Sequence, residues 1–241
     1  MSPGGQLLLY AVALNGYAFL LIHLRSWVYR TPVYRPMVKN FFLSILPLIL
    51  LLVVLLVIGV TEATTTRTVT IIAGLLGFAV WLLALPNSGY LITELNLNHR
   101  RENETVPLWY DIIAVLAFAM SGVINTVLGV FAVHLAFALT LYGESNQDLW
   151  DLPLRLLIGV LLLLVSVGIY FGRYLRLNSW DVRSPVRMWA KLRQHFDSRA
   201  VFGNFALFCA THTIFLWLIY GVVVLPMLQA IIDTPDLEFV N

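Results

Sequence analysis

Six apolar stretches of bilayer length limit what this chain can fold into. A helix needs about 20 consecutive apolar residues to cross a hydrocarbon core about 30 Å thick. Strands of a membrane barrel would alternate polar and apolar residues, and these stretches do not alternate. The sequence therefore predicts an all-α fold, a polytopic membrane bundle of six transmembrane helices. The predicted spans cover about residues 6–24, 41–60, 69–91, 109–142, 154–175 and 205–232.

The composition agrees with a membrane domain and disagrees with a soluble one. Of the 241 residues, 60% are hydrophobic and 12% are charged, whereas soluble domains carry about 25% charged residues. Long polar segments are absent, so we expect one membrane domain over residues 1–241. The one cysteine, Cys209, excludes an intrachain disulfide and argues against a thiolate metal site. We predict no metal site and no nucleic-acid partner, and the sequence identifies no cofactor.

The basic residues indicate how the spans are oriented. With six spans, the first, third and fifth connections lie on one side of the membrane and hold all but two of the 15 Lys and Arg residues. Only Arg67 and Arg155 fall on the other side. Because cytoplasmic loops are enriched in Lys and Arg, the crowded side is predicted to be cytoplasmic and both termini to lie outside (N-out/C-out). The residues on the crowded side are Arg25, Arg30, Arg35, Lys39, Arg100, Arg101, Arg173, Arg176, Arg183, Arg187, Lys191, Arg193 and Arg199.

The last cytoplasmic loop contains a predicted amphipathic helix at about residues 185–197. Ser184 followed by Pro185 is typical of a helix start. Apolar residues then recur at helical spacing, as in helices that lie in a membrane interface. Residues 183–199 either dock onto anionic headgroups of the lipid bilayer or form a helix that only anchors the bundle. We prefer the anchor, because the usual excess of positive charge inside already accounts for the basic residues. The apolar positions are Val186, Trp189, Leu192 and Phe196.

The fourth predicted span is too long for a simple crossing. At 1.5 Å per residue, the helix predicted at 109–142 would reach about 51 Å, well beyond a core about 30 Å thick. It is also too short for two spans. It must therefore be tilted, protrude from the membrane, or break near Gly122 or Gly129. We prefer a long, tilted or protruding helix.

Polar residues collect near the cytoplasmic ends of the spans. Pro86 is expected to kink the third span, with Asn87 and Ser88 serving the backbone groups that a kink frees. Glu94 lies beyond that kink, and Asp111 opens the fourth span at a comparable depth. Intramembrane ionisable residues are functional-site candidates by default, and the alternative is a structural polar clamp.

Arg173, inside the fifth span, is costly to bury and should reach the headgroups or meet a carboxylate. We expect it to face Glu94 or Asp111, as a clamp or as part of a working site. Asn125 shares a helical face with glycines, which argues for close helix contact there. His212 is expected to be a hydrogen-bonded core residue. The predicted polar cluster is Asn87, Tyr90, Glu94, Asp111, Tyr170, Arg173, Asn178 and Asp181, with Asn125 and His212 as additional candidates.

Three polar motifs at the ends of apolar spans carry a family resemblance. They are LPNSGYLITEL at 85–95, WYD at 109–111 and GIYFGRYLRLNSWD at 168–181. In these motifs the sequence resembles, from about residue 41 to the end, a bacterial multi-pass membrane family catalogued as domain of unknown function 1361. The resemblance implies a bacterial plasma (inner) membrane location and no particular activity. Glu94 stands where Asp is more usual in the family pattern. The matching positions are Asn87, Tyr90, Thr93, Glu94, Asp111, Arg173, Asn178 and Asp181.

Three functions remain open at this point. The first is binding or translocation of an anionic or lipid-like ligand, which predicts a cavity among spans three to six near Arg173. The second is a structural or assembly subunit with a membrane-protein partner, in which the clamp only sets helix packing. The third is an enzyme acting on a lipid headgroup or prenyl substrate, with Asp111 or Glu94 as general base or as a ligand of Mg²⁺. We rank them in that order.

Overall fold

The structure is a computed structural model that describes residues 2–96, 105–143, 149–175 and 184–232. Every regular element in these ranges is helical. Six helices are long and apolar enough to span a membrane, as predicted. The elements are α1 (Pro3–Tyr29), α2 (Arg35–Thr64), α3 (Arg67–Ala84), α4 (Pro86–Gly89), a 3₁₀ helix (Tyr90–Asn96), α5 (Leu108–Tyr142), α6 (Leu152–Tyr170), a π-helical turn (Phe171–Leu175), α7 (Pro185–His195) and α8 (Arg199–Ile232).

Several helices begin a few residues before the predicted apolar spans, and polar side chains cap the starts of α1 and α6. At the start of α1, the Ser2 hydroxyl accepts a hydrogen bond from the Gly5 amide at 3.2 Å. At the start of α6, an Asp151 carboxylate oxygen accepts from the Leu154 amide at 3.0 Å. Both side chains satisfy a backbone donor that the first helical turn leaves without a partner. The hydrophobic pattern therefore predicts the position of each span, and at α1 and α6 a capping side chain marks where the helix begins.

Helix α5 runs unbroken for 35 residues through the centre of the bundle. It contacts α1, α2, α4, the 3₁₀ helix, α6 and α8. The alternative of a break at Gly122 or Gly129 is wrong. These glycines lie where neighbours approach closely: a methyl group at Gly122 would lie 2.4 Å from the Ser88 carbonyl oxygen, and one at Gly129 would lie 3.3 Å from Leu85. The long span is therefore one helix, and its glycines are contact points.

The α-helical hydrogen bonding of the third span is interrupted at Pro86, the position where a kink is expected. Helix α3 ends at Ala84, α4 begins at Pro86, and the chain continues as a 3₁₀ helix from Tyr90. Proline lacks an N–H and its ring clashes with the preceding turn, so the α-helical hydrogen bonds are interrupted here. Opposite this break, a methyl group at Gly168 of α6 would lie 2.3 Å from the Pro86 ring. The break is therefore packed directly against α6.

Helix α7 lies in the predicted position and starts at Pro185. Its predicted apolar face is divided in the structure. Leu192 and the following Phe196 are half-buried against the bundle, whereas Val186 and Trp189 are exposed. The apolar residues in the N-terminal half of α7 are therefore uncovered, and those at its C-terminal end pack against the bundle.

The two ends of the bundle are held in different ways. At one end, which we call the basic end, the C-terminal end of α1 and the π-helical turn meet the N-terminal ends of α2, α5 and α8. At the other end, His134 of α5 is completely buried. Its Nε2–H donates to the Leu149 carbonyl oxygen at 2.8 Å, and its Nδ1 accepts from the Tyr220 hydroxyl at 2.7 Å. One neutral imidazole thus joins α5, the segment before α6, and α8.

Candidate functional site

Helices α1 and α5 are joined along a polar seam, which consists of Asn15, Arg25, Ser44, Asp111 and Asn125. In its membrane-central part, the side-chain amides of Asn15 and Asn125 form a reciprocal pair, with N···O distances of 2.9 and 3.0 Å. The Asn125 amide also donates to the Ser44 hydroxyl of α2 at 3.0 Å. Asn125 was an additional candidate for the site, and the structure places it in this helix contact.

The charged part of the seam is an ion pair between Arg25 and Asp111. The Arg25 Nε lies 2.8 Å from an Asp111 carboxylate oxygen, and its Nη1 donates to the Thr31 hydroxyl at 3.2 Å. Arg25 is 8% exposed and Asp111 is 0% exposed. A buried charge is tolerated when a partner and further hydrogen bonds compensate its lost hydration. Asp111 also lies in the first turn of α5, where the helix dipole favours a negative charge.

The predicted pairing of Arg173 with Glu94 or Asp111 is wrong. Asp111 pairs with Arg25, and Glu94 accepts a hydrogen bond from the Asn40 side chain at 3.1 Å. Arg25 lies one residue past the predicted end of the first span, so the sequence pattern assigns it to the first loop. Arg25, Asp111 and Arg173 lie at a similar depth on three different spans. Depth alone therefore does not determine which arginine pairs with Asp111.

The two carboxylates that an enzyme would use to hold Mg²⁺ are therefore committed to different partners on different helices. Within the described ranges, no group of three or more His, Cys, Asp and Glu side chains is placed to hold a metal ion. The Arg25 guanidinium in contact with Asp111 would repel a metal cation at the same carboxylate. The geometry gives the enzymatic hypothesis less support than the sequence did.

Around Pro86, polar side chains form hydrogen bonds with backbone groups that the interrupted helix leaves without partners. The Ser88 amide bonds to the Leu85 carbonyl oxygen at 3.0 Å, so the Ala84 carbonyl loses its usual helical donor. The Asn87 side chain replaces that donor, with a distance of 2.8 Å to the Ala84 oxygen. The Ser88 hydroxyl donates to the Ser44 carbonyl oxygen at 2.6 Å. These contacts explain Asn87 and Ser88 as partners of a proline break.

The same turn meets the π-helical turn at the end of α6. A methyl group at Gly172 would lie 3.3 Å from the Tyr90 ring. Thr93, which also matches the family pattern, donates from its hydroxyl to the Tyr90 carbonyl oxygen at 2.8 Å. The structure therefore brings the first and third sequence motifs together, while Asp111 of the second motif turns to α1.

Arg173 is half-buried on this π-helical turn. Among the described residues it makes neither a hydrogen bond nor an ion pair. Tyr170, one turn earlier, is buried, and its hydroxyl lies 2.9 Å from His195 Nε2. π-helical turns are uncommon and often mark functional positions. Within the described ranges, Arg173 thus combines a positive charge that has no polar partner with an unusual backbone.

An aromatic cluster surrounds Tyr170 and connects the π-helical turn, α7 and α8. Its ring centroids lie 4.5 to 6.4 Å apart, the range in which aromatic pairs attract. Tyr174 is the exposed member next to Arg173, with 56% of its surface accessible. The cluster consists of Tyr170, Phe171, Tyr174, His195, Phe196, Phe202, Phe205 and Phe208.

The remaining candidates lie outside this arrangement. Asn178 and Asp181 fall outside the described residues. His212 of α8 is half-buried, donates from Nδ1 to the Phe208 carbonyl oxygen at 2.9 Å, and stacks on the Phe208 ring. It is hydrogen-bonded within its own helix, as expected for this residue.

The residues that α1 contributes to the seam, Asn15 and Arg25, were not predicted from the sequence, although their spacing indicates them. Ala11, Asn15, Ala18, Ile22 and Arg25 are spaced alternately by four and three residues, which places them on one face of α1. On α5 the same spacing joins Asp111 to Asn125, through Val115, Phe118 and Gly122. On each of these two apolar helices, one face carries several small or polar residues. Such faces tend to pack against each other in a membrane.

A cavity lies beside the seam at the basic end, between α1, α2 and α5. Its volume is about 10 Å³, room for about one water molecule. The binding hypothesis expected a cavity among spans three to six, and that region instead contains the close contacts at Gly122 and Gly168. The cavity is lined by Ile22, Arg25, Ser26, Pro32, Tyr34, Met37 and Ala114.

Comparison with known proteins identifies the family. A family model described as "Protein of unknown function (DUF1361)" matches residues 39–220. The chain belongs to this family. The resemblance seen in the three motifs is thereby confirmed. The DUF1361 match begins within α2, so Asn15 and Arg25 of α1 precede the matched region. Searches of curated proteins and of solved structures found no match to the chain.

Proposed function

We propose that this DUF1361 protein binds the headgroup of an anionic lipid, or of a lipid-like amphiphile, at Arg173. The observation that supports this is that Arg173 has no ion-pair or hydrogen-bond partner among the residues that the structure describes. Both carboxylates expected to neutralise it are engaged elsewhere, Asp111 by Arg25 and Glu94 by Asn40. A guanidinium at the end of a membrane span is energetically favourable when it meets a phosphate.

The surroundings of Arg173 suit an amphiphile. A guanidinium presents planar N–H donors that match two phosphate oxygens at once. Next to it, Tyr174 is exposed, and aromatic side chains with one polar end favour the boundary between headgroups and acyl chains. The apolar outer surface of α6 continues towards the bilayer centre through Leu164 and Leu163, which are 40% and 44% exposed. The headgroup would therefore contact Arg173 and Tyr174, and the acyl chain would contact the apolar outer surface of α6.

We favour binding at the bundle surface over passage through the bundle. Between α4, α5 and α6, backbone and side chains approach so closely that a methyl group at Gly122 or Gly168 would overlap its neighbour. Such contacts leave no room for a ligand at that level. We further propose an inner-membrane location in a bacterium, with the basic end facing the cytoplasm, where anionic headgroups attract basic residues.

Native mass spectrometry of the full chain released from nanodiscs tests the headgroup site. The nanodiscs contain phosphatidylcholine with a minor fraction of phosphatidylglycerol. We expect the wild type to retain one phosphatidylglycerol, Arg173→Gln to lose it, and Arg173→Lys to retain it in part. Arg35→Gln is the matched control, because Arg35 is an exposed cation at the start of α2, at the same basic end. Equal retention by Arg173→Gln and wild type would overturn the proposal.

A second candidate, a structural or assembly subunit, is favoured by the seam itself. Its ion pair and its amide pair are used within the chain and hold α1 to α5. In that case Arg173→Gln would leave lipid retention unchanged, while loss of the Arg25–Asp111 pair would release the protein from a larger membrane complex. Native gel electrophoresis of membranes solubilised in a mild detergent would measure that release.

A further inference from the structure

Helix α7 has an apolar surface that the bundle does not cover. Val186 is 82% exposed and Trp189 is 69% exposed, values unusual for such residues in water. Val186 and Trp189 are three residues apart and share one face in the N-terminal half of the helix, which we call the outward face, whereas Leu192 in the C-terminal half is half-buried. Burial of its inward face therefore accounts for only part of the amphipathic pattern of α7.

The orientation of α7 is fixed by its C-terminal end. His195 Nε2 lies 2.9 Å from the Tyr170 hydroxyl, and the Phe196 ring lies 5.1 Å from that of Phe205 at the start of α8. These contacts join α7 to two spans at once. Rolling the helix to bury Trp189 would break them, so the outward face stays outward.

The charge of α7 identifies what the outward face fits. The helix contains Arg187, Lys191 and Arg193 and no acidic residue. Lys191 and Arg193 are exposed. α7 ends only four residues before α8 begins, which keeps it at the level where the spans leave the membrane. Exposed Trp beside Lys and Arg is the composition of helices that lie in the headgroup region of an anionic membrane.

We propose that the outward face of α7, formed by Val186, Trp189 and Arg193, docks together with the exposed Lys191 onto the anionic headgroup surface of the protein's own bilayer. This surface is distinct from the single headgroup site at Arg173 and does not depend on it. The exposed Val186 and Trp189 favour docking over the anchor preferred from the sequence, because a helix that only anchored the bundle would turn its apolar residues inward.

A fluorescent probe on α7 tests the docking. The full chain carries Cys209→Ala, which removes the buried native thiol, and Ala190→Cys, an exposed position next to Trp189, labelled with the environment-sensitive dye NBD. It is reconstituted in vesicles of phosphatidylcholine alone, or with about one third phosphatidylglycerol. We expect anionic lipid to shift NBD emission to the blue and to reduce iodide quenching about two-fold, with reversal at high salt.

Variants separate docking from its alternatives. Lys191→Gln/Arg193→Gln should abolish the dependence on phosphatidylglycerol, and Trp189→Ala should weaken shielding in both kinds of vesicle. The matched control Arg155→Gln, an exposed cation in the first turn of α6, should behave as the wild type. Equal quenching in both vesicles, or no effect of the double variant, would overturn the proposal. Shielding that grows with the protein-to-lipid ratio would assign the face to a second copy of the chain. Arg173→Gln should dock normally, so the two proposals can fail separately.

Discussion

The polar seam between α1 and α5 and the π-helical end of α6 both place an arginine near the basic end, with opposite results. In the seam, Arg25 has a carboxylate at 2.8 Å and a hydroxyl at 3.2 Å, and it is 8% exposed. At the end of α6, Arg173 is half-buried and makes no polar contact among the described residues. Similar residue types at similar depth thus serve different purposes.

The difference shows what an intramembrane charge can mean. A compensated charge in a helix contact stabilises one packing arrangement, because removing either partner leaves the other buried and unpaired. An uncompensated charge at a span end contributes little to packing and is open to a ligand from outside the chain. Measurements of stability should therefore separate the two regions, and four experiments test that separation.

Loss of the buried ion pair should have the largest effect. Asp111→Ala leaves the Arg25 guanidinium buried without its carboxylate, and we expect the free energy of unfolding to fall by about 3–5 kcal/mol. Reversible unfolding in detergent micelles measures it. Arg25→Leu/Asp111→Leu should recover most of the loss, because two apolar residues leave no charge to compensate. Glu62→Ala, an exposed carboxylate at the other end, is the control. A single variant as stable as that control would show that the pair does not hold the seam.

A methyl group at Gly122 should have the next largest effect. Gly122→Ala would place a carbon 2.4 Å from the Ser88 carbonyl oxygen, which belongs to the backbone and cannot rotate away. Overpacking of this kind costs about 1–3 kcal/mol. The matched control is Gly59→Ala, where nothing lies within 4 Å of the added methyl group. Thermal unfolding of the two variants side by side measures the contrast, and equal stability would mean that α4 and α5 are not in close contact.

The amide pair of the seam should contribute less. Asn15→Ala and Asn125→Ala each remove one side of a reciprocal hydrogen-bonded pair. In a double-mutant cycle we expect a coupling free energy of about 0.6 kcal/mol and at most about 1.7 kcal/mol, the range of hydrogen bonds between membrane helices. Asn204→Ala, at an exposed position of α8, provides a non-coupled reference when combined with Asn15→Ala. Additive single effects would argue against a direct pair.

Arg173→Gln should have the smallest effect on stability. Because Arg173 has no described polar partner, its loss should change the free energy of unfolding by no more than about 0.5 kcal/mol. The same variant should lose the bound phosphatidylglycerol, so stability and lipid retention separate. Tm measured in detergent and lipid retention measured from nanodiscs would be compared on one preparation. A large loss of stability would instead place Arg173 in a packing role like that of Arg25.

The sequence by itself determined the six spans, the break at Pro86 and the helix at 185. In a bilayer core, backbone groups must find partners within the segment, so a long apolar stretch has to be a helix. Proline and capping residues act on their immediate neighbours. Such local interactions are written in consecutive residues and need no knowledge of the remaining fold.

Only the tertiary structure decided which cation met Asp111. Arg25 and Arg173 lie at the ends of two different spans, and the sequence fixes their depth without fixing which helices touch. The choice depends on how α1 rotates to pack its stripe of Ala11, Asn15 and Ala18 against α5. That rotation depends on many small contacts between helices. The residue pattern of α1 taken by itself therefore does not predict it.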